Sequence, residues 1–200
     1  DVPTTYWGYE YIMALYEAGI VDGYGDNTFL PEGTITRAEF TKMTVELFGL
    51  SAASTDSQFL DCAADDWYTP YVIAAQEAGM VTGVSDEWFG AADTITREDM
   101  ATIIGRYLAL TTTADSTFAD ADDIADYAVG YVTAMVSAGY ITGYEDGTFQ
   151  PKANATRAEA ATIIARVMND IGSPSATNAP SATDAPSATT APEATASPEA

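Results

Sequence analysis

The stretch Ile35-Thr36-Arg37-Ala38-Glu39 returns as Ile95-Thr96-Arg97-Glu98-Asp99 and again as Ala155-Thr156-Arg157-Ala158-Glu159, each copy 60 residues after the last. The same offset relates Trp7, Trp67 and Tyr127; Gly19, Gly79 and Gly139; Gly23, Gly83 and Gly143; Asp26, Asp86 and Asp146; and Phe29, Phe89 and Phe149. So many coincidences in one phase identify three tandem copies of one structural unit. Within a unit, Trp7, Tyr11, Leu15 and Ala18 fall at helical spacing and Gly19 stands where a helix end favours a left-handed residue, which predicts a first helix over 7–18. Ile20-Val21, a Gly/Asp/Asn-rich turn over 23–27 and an extended piece at Phe29 before Pro31 predict a tiny hairpin or a looped connection. A second helix opens at Thr36 and runs to about Phe48, with Phe40, Met43 and Leu47 on its apolar side and Gly49 to end it.

Each unit therefore reads as helix, turn, helix, and the fold class is mainly α. Two helices cannot bury their apolar faces alone, so the three units are expected to pack around a shared core with pseudo-threefold symmetry. The units span 1–50, 51–110 and 111–171. Small polar linkers lead into units two and three, and Phe59-Leu-Asp61 and Phe118-Ala-Asp120 then open them. Asp1 precedes Trp7 by the same interval as Asp61 precedes Trp67, so the chain starts within the motif, as if trimmed.

The repeated start of the second helix carries both a structural and a chemical reading. Thr36, Thr96 and Thr156 are N-cap candidates, and Glu39, Asp99 and Glu159 stand three residues on, where a capping box needs an acid, with glutamate completing the box. Arginine is different, because a cation in the first turn faces the positive end of the helix dipole. The chain has 30 acidic and only 7 basic residues, for a net charge of -23, yet it places Arg37, Arg97 and Arg157 at this disfavoured position. Either each makes a plain salt bridge, or each forms with the free amides of the helix start a receptor for a carboxylate or phosphate.

Composition limits the alternatives. A surface this acidic repels phosphate backbones and anionic headgroups, which argues against nucleic-acid and membrane-surface partners. It could recruit Ca2+, but no cofactor and no metal site is predicted, since the Asp26-Asn27 and Asp146-Gly147 turns lack the alternating oxygen ligands of an EF-hand loop. The absence of histidine removes the commonest general base and most zinc constellations, and lone Cys62 reads as a small buried hydrophobe. A glycoside hydrolase needs two carboxyls converging at one cleft, and a triplicated unit supplies no unique cleft. No apolar run approaches the roughly 20 residues that cross a bilayer, and no basic-then-apolar leader opens the chain, so a soluble, already processed chain is expected.

Trp7, Trp67 and Tyr127 read either as core aromatics or as flat platforms for a sugar ring. Gly23, Gly83 and Gly143 read as turn residues with positive φ, though glycine also permits close ligand approach. Residues 172–200 form a Pro/Ser/Thr/Ala-rich tail whose prolines, from Pro174 to Pro198, recur every six residues. As polyproline II that spacing aligns them on one edge of a stiff strand roughly 80 Å long. A spacer, an O-glycosylated stalk and a segment ordered against a neighbouring subunit all fit.

Taken together, Trp, Gly-Ile-Val-x-Gly-Tyr, Asp-x-Thr-Phe-x-Pro and Ile-Thr-Arg-Ala-Glu resemble the S-layer homology domain, over residues 1 to about 170. The resemblance implies a three-pronged helical domain and a non-catalytic module, secreted to the bacterial surface, that binds secondary cell-wall polysaccharide in grooves between repeats, often through pyruvylated N-acetylmannosamine. It implies that Arg37, Arg97 and Arg157 grip the ketal carboxylate and that Trp7, Trp67 and Tyr127 line the sugar. Gly23, Gly83, Gly143, Asp61 and Asp120 complete the implied polysaccharide-binding set. Unit two departs from the pattern at Val84, at Trp88-Phe89-Gly90-Ala91 and at Glu98-Asp99, and unit three at Tyr127 and Ala155, so one or more grooves are expected to be degenerate. The alternative is a subunit, binding copies of itself, that assembles into an S-layer or extracellular filament.

Overall fold

A computed structural model describes residues 1–172 of the chain. The proline-spaced tail and its three readings lie outside the described residues, except for Gly172, which ends the last helix. Six helices follow one another in pairs: α1 (Tyr9–Glu17) and α2 (Arg37–Phe48), α3 (Thr69–Glu77) and α4 (Arg97–Tyr107), α5 (Val129–Ser137) and α6 (Arg157–Gly172). Among the described residues there is no β-strand beyond isolated bridges, so the connection after each first helix is a loop and not a hairpin.

Helix one is shorter than its apolar spacing suggests. Trp7, Trp67 and Tyr127 stand two residues before the first helical residue, in the turn that leads into it. Each first helix ends where glycine takes over in the left-handed region, at Gly19 (φ 72°), Gly79 (φ 70°) and Gly139 (φ 78°). Each second helix begins on its threonine. The Glu39 N–H donates to Thr36 Oγ1 at 3.2 Å while the Thr36 N–H donates to Glu39 Oε2 at 2.9 Å, and Thr156 with Glu159 repeats both bonds at 3.2 and 2.9 Å. At α4 the Asp99 N–H reaches Thr96 Oγ1 at 3.3 Å, with no return bond from the shorter aspartate.

The helices of one unit are joined mainly through the neighbouring units. Helix one of each unit packs on helix two of the preceding one: α3 on α2, α5 on α4 and, closing the cycle, α1 on α6. At the centre the chain forms a ring of backbone bonds, with the Ile95 N–H donating to the Ile35 carbonyl at 3.0 Å, the Ala155 N–H to Ile95 at 3.0 Å and the Ile35 N–H to Ala155 at 3.1 Å. A second cycle lies beside it, formed by the N–H groups of Arg37, Arg97 and Arg157 on the carbonyls of Asp93, Ala153 and Gly33. Ile35, Ile95 and Ala155 are fully buried there.

Around this ring the core is built from equivalent positions. Phe29, Phe89 and Phe149 are buried, and Phe59 and Phe118 pack on the last two with ring centroids 5.7 and 5.3 Å apart. Burying each such phenyl contributes up to about 3 kcal/mol. A carboxylate clasps the backbone at each of these phenylalanines. The Phe29 and Leu30 N–H groups donate to Asp1, those of Phe89, Gly90 and Ala91 to Asp61, and those of Phe149 and Gln150 to Asp120, all at 2.7–2.8 Å. Asp120 stands one residue farther from its aromatic than Asp61 does, and the 3-10 turn Ala121–Asp123 absorbs that residue.

Candidate functional site

Three open grooves lie where the units meet, and each draws on all three units. The first, of ≈ 820 Å³, holds Arg37 of unit one, Gly83, Val84, Asp99 and Arg106 of unit two, and Tyr127 of unit three. The second, of ≈ 380 Å³, holds Arg97 of unit two, Gly143, Tyr144, Glu159 and Arg166 of unit three, and Trp7 of unit one. The third, of ≈ 550 Å³, holds Arg157 of unit three, Gly23, Tyr24, Glu39 and Lys42 of unit one, and Trp67 of unit two.

The arginines form the groove floors and fasten one unit to the next. Their relative exposures are 7, 5 and 7% for Arg37, Arg97 and Arg157. Arg97 donates from Nε to Phe149 O at 2.9 Å, from Nη2 to Thr142 O at 3.1 Å and from Nη1 to Glu159 at 2.9 Å. Arg157 makes the same set to Phe29 O at 2.8 Å, Asp22 O at 3.4 Å and Glu39 at 3.4 Å. Arg37 reaches Phe89 O at 3.0 Å and Thr82 O at 2.8 Å, but its carboxylate partner Asp99 stands 3.8 Å away. These carbonyls offset the unfavourable dipole, and burial pushes the Arg37 guanidinium below its ordinary pKa. Among the described residues, three of the five N–H groups of Arg97 and of Arg157 find partners, which leaves two on each.

The capping acids do more than cap. Glu159 uses Oε2 for its own helix start and Oε1 for both Arg97 and the Tyr144 hydroxyl, which donates at 2.8 Å; Glu39 does the same with Arg157 and Tyr24. Tyr144 and Tyr24 also lie against the guanidinium carbons, whose distances to the ring centroids are 4.6 Å in both cases. Burial pushes the Tyr144 hydroxyl up to about 12. Unit two has Val84 in that place, and its Asp99 accepts from the Tyr127 hydroxyl at 2.9 Å instead. The same hydroxyl oxygen lies 3.2 Å from Glu98, so the two carboxylates share its one proton, and Glu98 is a buried carboxylate that also holds the Ala125 N–H and Lys152. Tyrosine at 127 therefore accompanies glutamate at 98, where Trp7 and Trp67 face units that have Ala158 and Ala38.

The aromatics form the groove walls. Trp67 and Tyr127 are 54 and 53% exposed, whereas Trp7 is half-buried and also packs against the hydrophobic core. Gly23, Gly83 and Gly143 also line the grooves, but positive φ is not the reason for glycine, because none of the three is in the left-handed region. A Cβ would stand 2.7 Å from Thr28 O at Gly23, 2.3 Å from Ser85 O at Gly83 and 2.3 Å from the Phe118 ring at Gly143. Asp61 and Asp120 do not line these grooves. They belong to the backbone clasps, and three N–H donors at Asp61 outweigh its burial to hold its carboxyl below the usual value. Among the described residues no three Asp, Glu or Cys side chains converge to hold a metal ion.

Sequence reading missed the outer cations. Arg106, Arg166 and Lys42 lie on the stripe that begins at each capping acid, at i, i+3 and i+7 positions of helix two. Arg106 and Arg166 follow Arg97 and Arg157 by nine residues, half a revolution of helix, so one helix presents opposite faces to two grooves. Six of the 7 basic residues line the three grooves, leaving only Lys152 outside them. Outer cations at that helical spacing from each acid were the signal available in the sequence.

The S-layer homology domain model matches residues 1–41, 58–101 and 117–161, one segment in each unit. The chain belongs to the S-layer homology domain family. It is 35% identical over 84% of its length to an amylopullulanase of Thermoanaerobacterium thermosulfurigenes, of which it covers 9%. It is 29% identical over 88% of its length to the S-layer protein sap of Bacillus anthracis, covering 22% of it. To the cellulosome-anchoring protein of Acetivibrio thermocellus it is 30% identical over 74% of its length, covering 35%. The chain thus spans about a third or less of these relatives. An S-layer homology domain is a non-catalytic anchoring module, which some enzymes carry as an additional part. This chain is a secreted, cell-surface module that anchors to the bacterial wall.

Proposed function

We propose that the three units stand around a pseudo-threefold axis, as three prongs, and that the grooves between them bind secondary cell-wall polysaccharide through a pyruvylated sugar. The closed cycle of Ile35, Ile95 and Ala155 bonds supports the axis. The observation that carries the binding reading is that a chain of net charge -23 gathers six of its 7 basic residues into three grooves at corresponding places between the units, each beside an aromatic ring. The ketal carboxylate takes the charge-assisted bonds of the groove cations, including the free N–H groups of Arg37, Arg97 and Arg157. Trp7, Trp67 and Tyr127 stack on the sugar, and Gly23, Gly83 and Gly143 let it approach the backbone. Asp61 and Asp120 contribute by clasping the segment that supports each arginine. The reading requires no metal or cofactor.

Because the three arginines hold the units together, they are poor probes of binding. Trp7→Ala, Trp67→Ala and Tyr127→Ala combined should leave the helices intact and weaken capture of wall polysaccharide by about tenfold or more, since each stacking face is lost. Unchanged capture by the folded triple variant would remove the aromatic walls from the site. A second reading, association of copies of the chain, is favoured by the exposed Leu60, Val84 and Trp88 on unit two. It predicts concentration-dependent particles in light scattering without any glycan.

A further inference from the structure

The three grooves differ in charge balance. In the third, Lys42 Nζ stands 3.7 Å from Asp22, and Arg157 is paired with Glu39, so two cations meet two carboxylates. In the other two, Arg37 and Arg97 face Asp99 and Glu159, but Arg106 and Arg166 have no carboxylate at ion-pairing distance among the described residues. Among the described residues each of these outer arginines makes a single hydrogen bond, Arg106 Nη1 to Met80 O at 3.3 Å and Arg166 Nη1 to Tyr140 O at 3.4 Å. Their flat faces lie 5.9 Å from the Tyr131 centroid and 5.5 Å from that of Tyr11, which fixes each stem and leaves most N–H groups unclaimed. Both side chains are half-buried at the groove edge. In a chain with 30 acidic residues, a guanidinium without a carboxylate is the uncommon state, and it recurs at equivalent positions of α4 and α6.

We propose that Arg106 and Arg166 are the ligand-facing charges, so that two of the three grooves capture an anionic sugar and the third, neutralised by Asp22, does not. This rests on the groove-binding reading above and assigns its charge specificity. It also reverses the expectation that the departures of unit two make its groove degenerate. Val84 leaves Arg37 without the tyrosine that covers Arg97 and Arg157, and that groove is the largest of the three.

The test is a calorimetric titration with the methyl glycoside of pyruvylated N-acetylmannosamine, paired with the arginine and lysine side-chain NMR signals during titration with inorganic phosphate. Two equivalents of the sugar should bind. Arg106→Gln and Arg166→Gln should each remove one, by weakening that groove about tenfold or more, and Asp22→Asn should add a third. Phosphate should shift the Arg106 and Arg166 signals ahead of Lys42. Three equal equivalents, or stoichiometry unaffected by either arginine variant, would overturn the assignment. If the sugar fails to bind while phosphate still selects Arg106 and Arg166, the pyruvylated-sugar reading falls and the charge assignment stands. Phosphate shifting Lys42 equally, or neither arginine, overturns it.

Discussion

The arginine that opens each second helix sits against its own helix dipole, and the structure supplies the compensation from the next unit. Two carbonyls and a carboxylate meet Arg97, all within 3.1 Å. That the position was special is legible in the sequence; that its partners lie in another unit is not, because spacing along the chain says nothing about which copies become neighbours. The clasping aspartates show the same limit. Their recurrence marks them as important, and a sugar contact was the natural reading, yet each spends its oxygens on backbone donors. Asp61→Asn should cost about 1–3 kcal/mol, since an amide cannot accept three N–H bonds as a carboxylate does. The folded-state pKa of Asp61 is depressed, so its contribution is fully present above the unfolded value of about 4 and is lost as pH falls through the folded value. Acid titrations of stability should therefore show a shallower loss below about pH 4 in Asp61→Asn than in the parent chain.

At the scale of the helix, the caps were readable from residue type and offset. The box at Thr36 and Glu39 and the missing return bond at Asp99 both follow from side-chain length. The exit of α4 shows a vacancy that the repeat itself points out. Ala109 adopts φ 52° where its counterpart Gly49 adopts 62°, and its N–H reaches Arg106 O while Leu110 reaches Gly105 O, the bonding of a Schellman turn. Alanine in that region costs about 1 kcal/mol that glycine does not. Ala109→Gly should accordingly raise the unfolding midpoint in urea by the equivalent of about 1 kcal/mol, with an unchanged m-value. Where the period failed was at the head of helix one. Trp7 fits the helical spacing of Tyr11 and Leu15 but stands in the preceding turn, which turns its ring toward the neighbouring unit's groove.

For the whole molecule, the arrangement of cyclic helix pairs means that every groove is an interface, and charge is distributed accordingly. The surface is strongly acidic while the grooves collect the cations, so an anionic polymer is repelled at a distance and attracted on contact. The range of that repulsion is set by salt: the screening length falls from about 30 Å at 0.01 M to about 8 Å at 0.15 M, whereas ion pairs in a half-buried groove are screened far less. The association rate with an anionic wall polymer should rise over that range, opposite to the behaviour of a steered cationic binder, and immobilised-polymer kinetics at the two salt concentrations would show it. The most direct test of the groove account is co-sedimentation of this chain with purified wall polysaccharide, native and chemically depyruvylated. Retention on the native polymer with loss on the depyruvylated one is the result predicted. Equal retention on both would mean that the grooves do not read the carboxylate, and the account built on their cations would be contradicted.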